Sequence, residues 1–339
     1  MTEKLIKQAP IIWEAIAQAK NILLHCHPGP DGDSAGGSLA FYHLLKGLGK
    51  NPTVIAGDSP IPLGLSKLPG ADQIVNKDYN SVIASEEKQS YDLFIILDSS
   101  SPDMISKKGE VVFPESMQTI VIDHHKSNQH FGQINLVDDS YIATCQMLYD
   151  LFKEWQILIT PDMAVCLMVG IYVDSGGFRY ARTTEETFRA GADLARLNPE
   201  FTQVLFELDN NNSPSKIYFQ ALALNSVEVI ANKIALAAVS YEAMIEKGID
   251  PEKTDKSEIS NLLKSVIGWE IGASLVERER GVVDISLRTR DPEKYDLSKL
   301  AEKLEGGGHP AAAGATVKGS IANVKALLLE KLTELFYLN

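Results

Sequence analysis

The sequence has few cysteines and no long apolar run. Cys26, Cys145 and Cys166 form no CxxC pair, which argues against a disulfide framework and fits a reducing compartment. We expect each to be a small buried residue. No apolar run reaches the roughly 18 to 20 residues of a membrane span, and the N-terminus lacks a signal-peptide pattern. The sequence therefore predicts a cytoplasmic protein without a membrane partner.

Positive charge is also scarce. The chain has 32 Lys and Arg against 45 Asp and Glu, a net charge of −13. Such an excess of negative charge disfavours binding a long polyanion along many phosphates. We therefore expect no long duplex nucleic acid as a partner, and a substrate that carries phosphate should be small.

Length and composition predict two domains. A chain of 339 residues exceeds one ordinary domain, and 45% hydrophobic residues can bury a proper core. The segment 210–214 reads Asn-Asn-Asn-Ser-Pro and is the best boundary signal. We predict a first domain over residues 1–212, and a linker helix (215–230) with a smaller domain over 213–339.

Apolar patterns predict an α/β fold. The nearly continuous apolar runs at 21–26, 92–98 and 117–123 are typical of parallel strands covered on both faces. Helical spacing is predicted over 11–20, 141–155 and 163–173. The second half suggests a strand at 234–240, a helix at 259–266, a hairpin of 270–277 with 282–288, and a helix at 297–304. We expect a mostly parallel sheet, and a smaller α/β domain that forms a cleft with it.

Histidine and aspartate follow three of the predicted strands. The segment 27–33 reads His-Pro-Gly-Pro-Asp-Gly-Asp and suggests a turn before a helix, Asp98 ends the second strand, and 123–125 reads Asp-His-His. The carboxyl ends of parallel strands meet at one edge of a sheet, where open α/β sheets bind ligands. Any one of these residues could simply mark a strand end. Three strands that all end this way favour a functional site.

Asp174 ends the apolar helix predicted at 163–173 and is followed by Ser-Gly-Gly. A carboxylate there is costly unless it is paired or binds a metal. Thr183 and Glu186 fit a capping box that opens a helix over 185–197. We therefore assign the acidic residues of that first turn to the cap and not to catalysis.

Glycines and arginines suggest a place for an anion. Three glycines at 306–308 precede His309 and allow a close backbone approach with N–H groups directed at a ligand. A flexible linker is the alternative, but the small residues after His309 favour a packed element. The planar fork of Arg288 suits phosphate. Arg179 is a weaker candidate, because a surface ion pair explains it equally well.

Together, in this order, these motifs resemble the DHH phosphoesterase superfamily. The resemblance is to the branch with a DHH-associated C-terminal domain, of the oligoribonuclease and 3'-phosphoadenosine-5'-phosphate phosphatase type, and it spans nearly the whole chain. Two features depart from the family pattern. The arginine often found shortly after the Asp98 motif is missing, and the last motif ends in Ala-Ala-Gly-Ala at 312–315 instead of a glycine-richer sequence.

The resemblance implies a site with two metals and Asp98 between them. It implies that one cation is held by His27, Asp31 and Asp98. It implies that the other is held by Asp33, Asp98, His124 and Asp174. The implied catalytic residues are His125, Asp98 and Asp123, with Asp123 orienting a histidine and His125 facing the phosphate. The expected substrate-binding residues are His125, Arg179, Arg288, Gly307, Gly308 and His309.

The ligand types indicate the metal and the reaction. Imidazole and carboxylate without thiolate favour manganese, with magnesium, cobalt or zinc as alternatives. Two cations would lower the pKa of a bridging water, so that a bridging hydroxide attacks phosphorus and no protein nucleophile is needed. We predict hydrolysis of very short oligoribonucleotides, adenosine 3',5'-bisphosphate or both to nucleoside monophosphates.

Other functions are weaker alternatives. A linear or cyclic dinucleotide phosphodiesterase is the runner-up. A RecJ-like single-strand exonuclease is disfavoured because the chain is short and acidic, and a pyrophosphatase should lack the 306–309 motif. A non-catalytic nucleotide sensor should have eroded ligands, and an RNA-binding or tRNA-editing module would not need the first domain's residues. The sequence leaves open the base preference, the polarity and whether the protein is a homodimer.

Overall fold

The computed structural model describes residues 1–84, 91–254 and 256–336. The chain divides into two compact units, Met1–Asn211 and Asn212–Asn339. Each unit contains a six-stranded sheet. Within the described ranges, no helix combines the length and apolar character that a membrane crossing requires.

The N-terminal unit alternates strands with helices. Its strands are β1 Asn21–His25, β2 Asn51–Ile55, β3 Ile74–Val75, β4 Leu93–Leu97, β5 Gln118–Asp123 and β6 Ile134–Val137. Its helices are α1 Glu3–Gln18, α2 Gly32–Gly47, α3 Tyr79–Ala84, α4 Thr144–Glu154, α5 Pro161–Asp174, α6 Glu185–Leu197 and α7 Phe201–Asp209.

The first sheet has the order β3-β2-β1-β4-β5-β6, and all of its neighbouring strands are parallel. The predicted parallel sheet is therefore confirmed. The chain builds outward from β1 in both directions, so the strand order reverses between β1 and β4. At such a reversal the loops after the two strands separate and leave a crevice at the carboxyl edge of the sheet.

Helices cover both faces of this sheet. On one face Leu24 and Ile95 belong to a core shared with the helices, and on the other Phe94 stacks on Tyr79 with ring centroids 5.3 Å apart. Two glycines allow α5 to lie close to α2 and α4. A Cβ on Gly36 would be 2.3 Å from the Cys166 carbonyl oxygen, and one on Gly170 would be 2.7 Å from Asp33 Oδ1. This close packing brings the N-terminus of α2 and the C-terminus of α5 to the carboxyl edge of the sheet.

The C-terminal unit has a mixed sheet. Its strands are β7 Glu228–Ile230, β8 Ile234–Val239, β9 Ile271–Glu279, β10 Val282–Thr289, β11 Gly307–His309 and β12 Ala312–Lys318. Its helices are α8 Pro214–Asn225, α9 Tyr241–Glu246, α10 Lys256–Ser265, α11 Leu297–Glu302 and α12 Ile321–Phe336. The order is β11-β12-β10-β9-β8-β7, and of these pairs only β8 with β9 is parallel among the described residues. The α/β character predicted for this part is confirmed.

Some predicted boundaries are wrong. The helix expected over 215–230 ends at Asn225, because 228–230 pairs with β8 as an edge strand. The helix expected from 11 begins at Glu3, where the Thr2 side chain accepts the Leu5 N–H as N-cap, and it continues through Pro10. The end of the first of these helices was set by strand pairing with β8, and the start of the second by the Thr2 side chain that caps it.

Two predicted caps are also different. Thr184, and not Thr183, caps α6, and its reciprocal partner is Thr187 instead of Glu186. The Thr187 hydroxyl donates a hydrogen bond of 3.0 Å to Gln146 Oε1 on α4. This contact holds Thr187 at the third position of the helix, so the capping box begins at Thr184, one residue later than predicted. The segment predicted as a turn after β1 already enters α2 at Gly32.

Candidate metal centre

Asp98 lies at the centre of the carboxyl edge of the first sheet. It directly follows β4, is 1% exposed and has a φ of 51°. A non-glycine residue in this left-handed region costs on the order of 1 kcal/mol, and such strain is concentrated at functional sites. Its backbone N–H donates to the Ile122 carbonyl at 3.1 Å, which holds the residue against β5. The side chain is thereby fixed between the residues that follow β1 and β5.

One group of potential ligands lies on the β1 side. His27 Nε2 is 3.5 Å from Asp98 Oδ2 and 3.6 Å from Asp31 Oδ2. The other oxygen of Asp31 accepts the backbone N–H groups of Asp33 and Ser34, each at 3.0 Å, as the N-cap of α2. Asp31 therefore caps the helix with one oxygen and faces His27 with the other.

A second group lies around His124, which follows β5. His124 Nε2 is 3.2 Å from Asp174 Oδ2, 3.5 Å from Asp98 Oδ1 and 3.9 Å from Asp33 Oδ2. This nitrogen is buried and has no hydrogen-bond partner among the described residues. It points at three carboxylates from three different elements.

The N-terminus of α4 holds Asp33. The backbone N–H groups of Thr144 and Cys145 donate to the two oxygens of Asp33 at 2.6 and 2.8 Å. The Thr144 hydroxyl also lies 3.4 Å from Asp98 Oδ1. The positive end of the helix dipole stabilises a carboxylate at this position. Sequence reasoning missed Thr144, because nothing in its local pattern distinguishes it from any first residue of a helix.

The third group orients His125. Its Nδ1 lies 2.7 Å from Asp123 Oδ1, and the hydrogen bond to Asp123 raises the pKa of His125. Asn128, which sequence reasoning also missed, donates to the other oxygen of Asp123 at 2.6 Å and to the Ser99 carbonyl at 3.0 Å. The His125 side chain is 45% exposed, unlike the buried His124. A fixed carboxylate thus sets the orientation of an accessible imidazole.

The cluster has an excess of negative charge. Burial and the charges of Asp98 and Asp174 raise the pKa of Asp33. Burial would lower the pKa of His27 and of His124, but the facing carboxylates raise them to about 10 and about 11. Across residues 1–84, 91–254 and 256–336, no Lys or Arg forms an ion pair with these acidic side chains. The excess of negative charge therefore favours the binding of a cation at the centre of this cluster.

The donors fit divalent cations. His27 Nδ1 lies 3.2 Å from the Pro28 carbonyl, and donating its proton there leaves the Nε2 lone pair facing Asp98. Three groups could hold a metal, each with ligand atoms within 4.8 Å of one another. They are His27, Asp31 and Asp98; Asp33, His124 and Asp174; and Asp98, Asp123, His124 and His125. Carboxylate and imidazole donors suit divalent cations such as manganese, magnesium and zinc.

The two arginines nearest Asp174 in sequence are placed differently. Arg179 is exposed, and its Nε donates to the Gly176 carbonyl at 2.6 Å. No ion pair of Arg179 occurs within the part of the chain that the structure describes, so the surface ion pair considered for it is not seen there. Arg182, which sequence reasoning passed over, lies with Nη2 3.5 Å from His124 Nδ1.

The remaining predicted residues belong to the C-terminal unit. Arg288, Gly307 and Gly308 line a pocket of about 600 Å³ together with Lys256. His309 ends β11 and is exposed, but it is not among the residues that line this pocket. Gly307 and Gly308 lie on β11, an exposed edge strand that pairs with β12, so this segment belongs to the sheet and is not a flexible linker.

Comparison with known proteins shows similarity to one family over both units of the chain. The model of the DHH family, N-terminal domain, matches residues 21–171, and the model of the DHHA1 domain matches residues 232–337. The bifunctional oligoribonuclease and PAP phosphatase NrnA of Thermus thermophilus is 30% identical over 97% of this chain and 98% of that protein. The protein of the same name from Bacillus subtilis is 24% identical over 87% and 89%.

The fold has also been seen in a crystal structure. An exopolyphosphatase-related protein from Bacteroides fragilis is 24% identical, covers 98% of both chains and superposes with a TM-score of 0.86. The similarity to the Thermus protein extends over both units, and each unit matches its own domain model. The chain therefore belongs to the DHH family of phosphoesterases, in the branch that carries a DHHA1 domain.

Proposed function

We propose that this phosphoesterase hydrolyses very short oligoribonucleotides and adenosine 3',5'-bisphosphate to nucleoside monophosphates. The observation that carries the proposal is the position of Asp98, whose two oxygens lie 3.5 Å from His27 Nε2 and 3.5 Å from His124 Nε2. One carboxylate thus faces two separate groups of potential ligands. The names of the Thermus and Bacillus relatives, which align over most of their lengths, support the choice of substrates.

Asp98 would be shared between two cations. His27 and Asp31 would complete the ligands of the first. Asp33, His124 and Asp174 would complete those of the second. Bound divalent cations activate a water molecule for attack and neutralise the phosphoryl oxygens. The absence of thiolate ligands favours manganese, with magnesium, cobalt or zinc as alternatives.

His125 would act on the substrate side. Asp123 fixes its Nδ1, which leaves Nε2 of an accessible ring for the substrate phosphate. Asn128 in turn fixes Asp123, so the imidazole does not have to be ordered when substrate binds. An oriented imidazole of this kind can donate a proton to the departing oxygen.

Nucleotide recognition would belong to the C-terminal unit. Arg288, Gly307 and Gly308 line its pocket, where backbone N–H groups and a guanidinium can bind a second phosphate. His309 in the same unit and Arg179 in the N-terminal unit remain candidates for substrate binding on sequence grounds. Arg288→Ala should therefore weaken turnover of nucleotide substrates roughly tenfold to a hundredfold. It should spare bis(p-nitrophenyl) phosphate, which has no second phosphate.

A substrate panel tests the proposal. Purified protein with manganese is incubated with diribonucleotides, longer RNA, cyclic dinucleotides, adenosine 3',5'-bisphosphate and pyrophosphate, and the released products are separated by chromatography. We expect diribonucleotides and the bisphosphate to be hydrolysed fastest, and the rate per RNA end to fall steeply with length. Preference for cyclic dinucleotides would assign the dinucleotide phosphodiesterase instead. A flat length profile would favour the exonuclease.

A further inference from the structure

Arg182 lies against the edge of the cluster without belonging to it. It sits in the loop between α5 and α6, where its Nη1 donates to the Asp139 carbonyl at 3.2 Å. Its Nη2 is 3.5 Å from His124 Nδ1. The other ring nitrogen of His124 faces Asp174 and the remaining carboxylates. The guanidinium is therefore separated from the acidic groups by the width of one imidazole.

Arg182 carries a charge that no ion pair among the described residues uses. Within the part of the chain that the structure describes, no carboxylate lies within 4 Å of its guanidinium, and the residue is exposed. Arg189 and Arg196 on the neighbouring helix α6 instead pair with Glu185 and Asp193. An exposed cation next to a strongly acidic cluster, yet not paired with it, can bind an anionic group.

A role for Arg182 in holding His124 in place does not explain the contact between the two residues. A histidine that presents Nε2 to a cation carries its proton on Nδ1 and needs an acceptor there. A guanidinium has only donors and cannot take that role. The carbonyl of Asp139 occupies one side of the Arg182 fork, and the donors on the other side can serve a further acceptor.

We propose that Arg182 binds a non-bridging phosphate oxygen of the substrate, and this rests on the proposed function of the site. The fork of an arginine matches phosphate oxygens, and charge-assisted hydrogen bonds of this kind are strong. In this role the guanidinium would contact the phosphate from the Nδ1 side of His124, whereas the carboxylates lie on the Nε2 side. It also lessens the repulsion that a protein with a net charge of −13 exerts on an anionic substrate.

The test uses direct binding of inorganic phosphate. The parent, Arg182→Gln and Arg182→Lys are loaded with manganese, and phosphate is titrated by calorimetry while bound metal is counted by mass spectrometry. Arg189→Gln is the matched control, because it removes an exposed arginine that is already paired with Glu185. We expect Arg182→Gln to bind phosphate roughly tenfold to a hundredfold more weakly with unchanged metal content. Arg182→Lys should be intermediate and Arg189→Gln should match the parent.

Other results would overturn the proposal or separate it from the proposed function. Equal phosphate affinity in Arg182→Gln and the parent, or no phosphate binding by the parent, would overturn the assignment. Loss of metal in Arg182→Gln would show that the residue supports His124 after all. If Arg182→Gln weakens phosphate binding but the parent hydrolyses no phosphoester, the proposed function fails while the anion-binding role of Arg182 stands.

Discussion

The backbone N–H of Thr144 donates to Asp33 Oδ2 at 2.6 Å, although the two residues are 111 positions apart in the sequence. Through this contact the first turn of α4 fixes a buried carboxylate that also faces His124. The same residue reaches Asp98 through its hydroxyl, at 3.4 Å. Thr144 thus positions carboxylates from both proposed cation sites without being a ligand itself.

Replacing Thr144 tests this positioning role. Thr144→Val keeps the backbone N–H but loses the hydroxyl, so manganese affinity should fall by up to roughly tenfold, as expected for one lost hydrogen bond. Thr144→Ser should restore it. Isothermal titration of the metal-free proteins with manganese measures the change. Equal affinity in the Val and Ser variants would contradict the role of the hydroxyl.

Asp98→Ala should remove both cations and abolish turnover, because its two oxygens face both groups of ligands. Metal content by mass spectrometry, together with the rate on bis(p-nitrophenyl) phosphate, checks this outcome. Asp103→Asn is the control, since Asp103 is exposed in the turn after β4. Two cations bound at parental strength to Asp98→Ala would reject a shared ligand.

His125→Ala should keep its metals and lose rate. Its ring is nearly half exposed and is held by Asp123, so its removal leaves His27, His124 and their carboxylates in place. We expect kcat to fall roughly a hundredfold or more, the usual contribution of an oriented proton donor. Parallel measurement of kcat and metal stoichiometry separates the two effects. The division of roles would be wrong if His125→Ala lost metal as Asp98→Ala does.

Chelation should destabilise the protein. Burial and the charges of Asp98 and Asp31 raise the pKa of Asp174, so holding its ionised carboxylate in the folded, metal-free protein costs free energy. Manganese at a hundred times its dissociation constant should add about 2.7 kcal/mol to the free energy of unfolding. Asp174→Asn removes both the repulsion and a proposed ligand. Its melting temperature should therefore rise less on adding manganese than that of the parent, and an equal rise would exclude Asp174 as a ligand.

Neighbouring glycines of β11 should respond differently to alanine. Gly308 has a φ of 141°, and a Cβ there would lie 2.5 Å from Ala313 Cα, whereas a Cβ on Gly307 would meet nothing within 4 Å. Gly308→Ala should lower the melting temperature and Gly307→Ala should not. If the Gly307 backbone approaches a nucleotide, Gly307→Ala should still lose activity on adenosine 3',5'-bisphosphate but not on bis(p-nitrophenyl) phosphate. Parental activity on both substrates would remove Gly307 from the binding site.

The sequence by itself determined several elements of the first unit and the acidic residues that follow two of its strands. Apolar runs that stop at Asp98 and at Asp123 predicted parallel strands, and the sheet confirms them. The predicted helix over 185–197 matches α6. These features could be predicted because burial on both faces of a strand and the periodicity of a helix are recorded in consecutive residues.

Only the tertiary structure decided which distant groups meet. The contact of Thr144 with Asp33 and the approach of Arg182 to His124, 58 positions away, depend on how α4, α5 and the first sheet pack. The cap of α6 shifted to Thr184 because Thr187 bonds to Gln146 on another helix. A local pattern can show that a residue is polar and where its element ends. The partner of that residue is set by packing between elements far apart in the chain, and a single sequence does not record it.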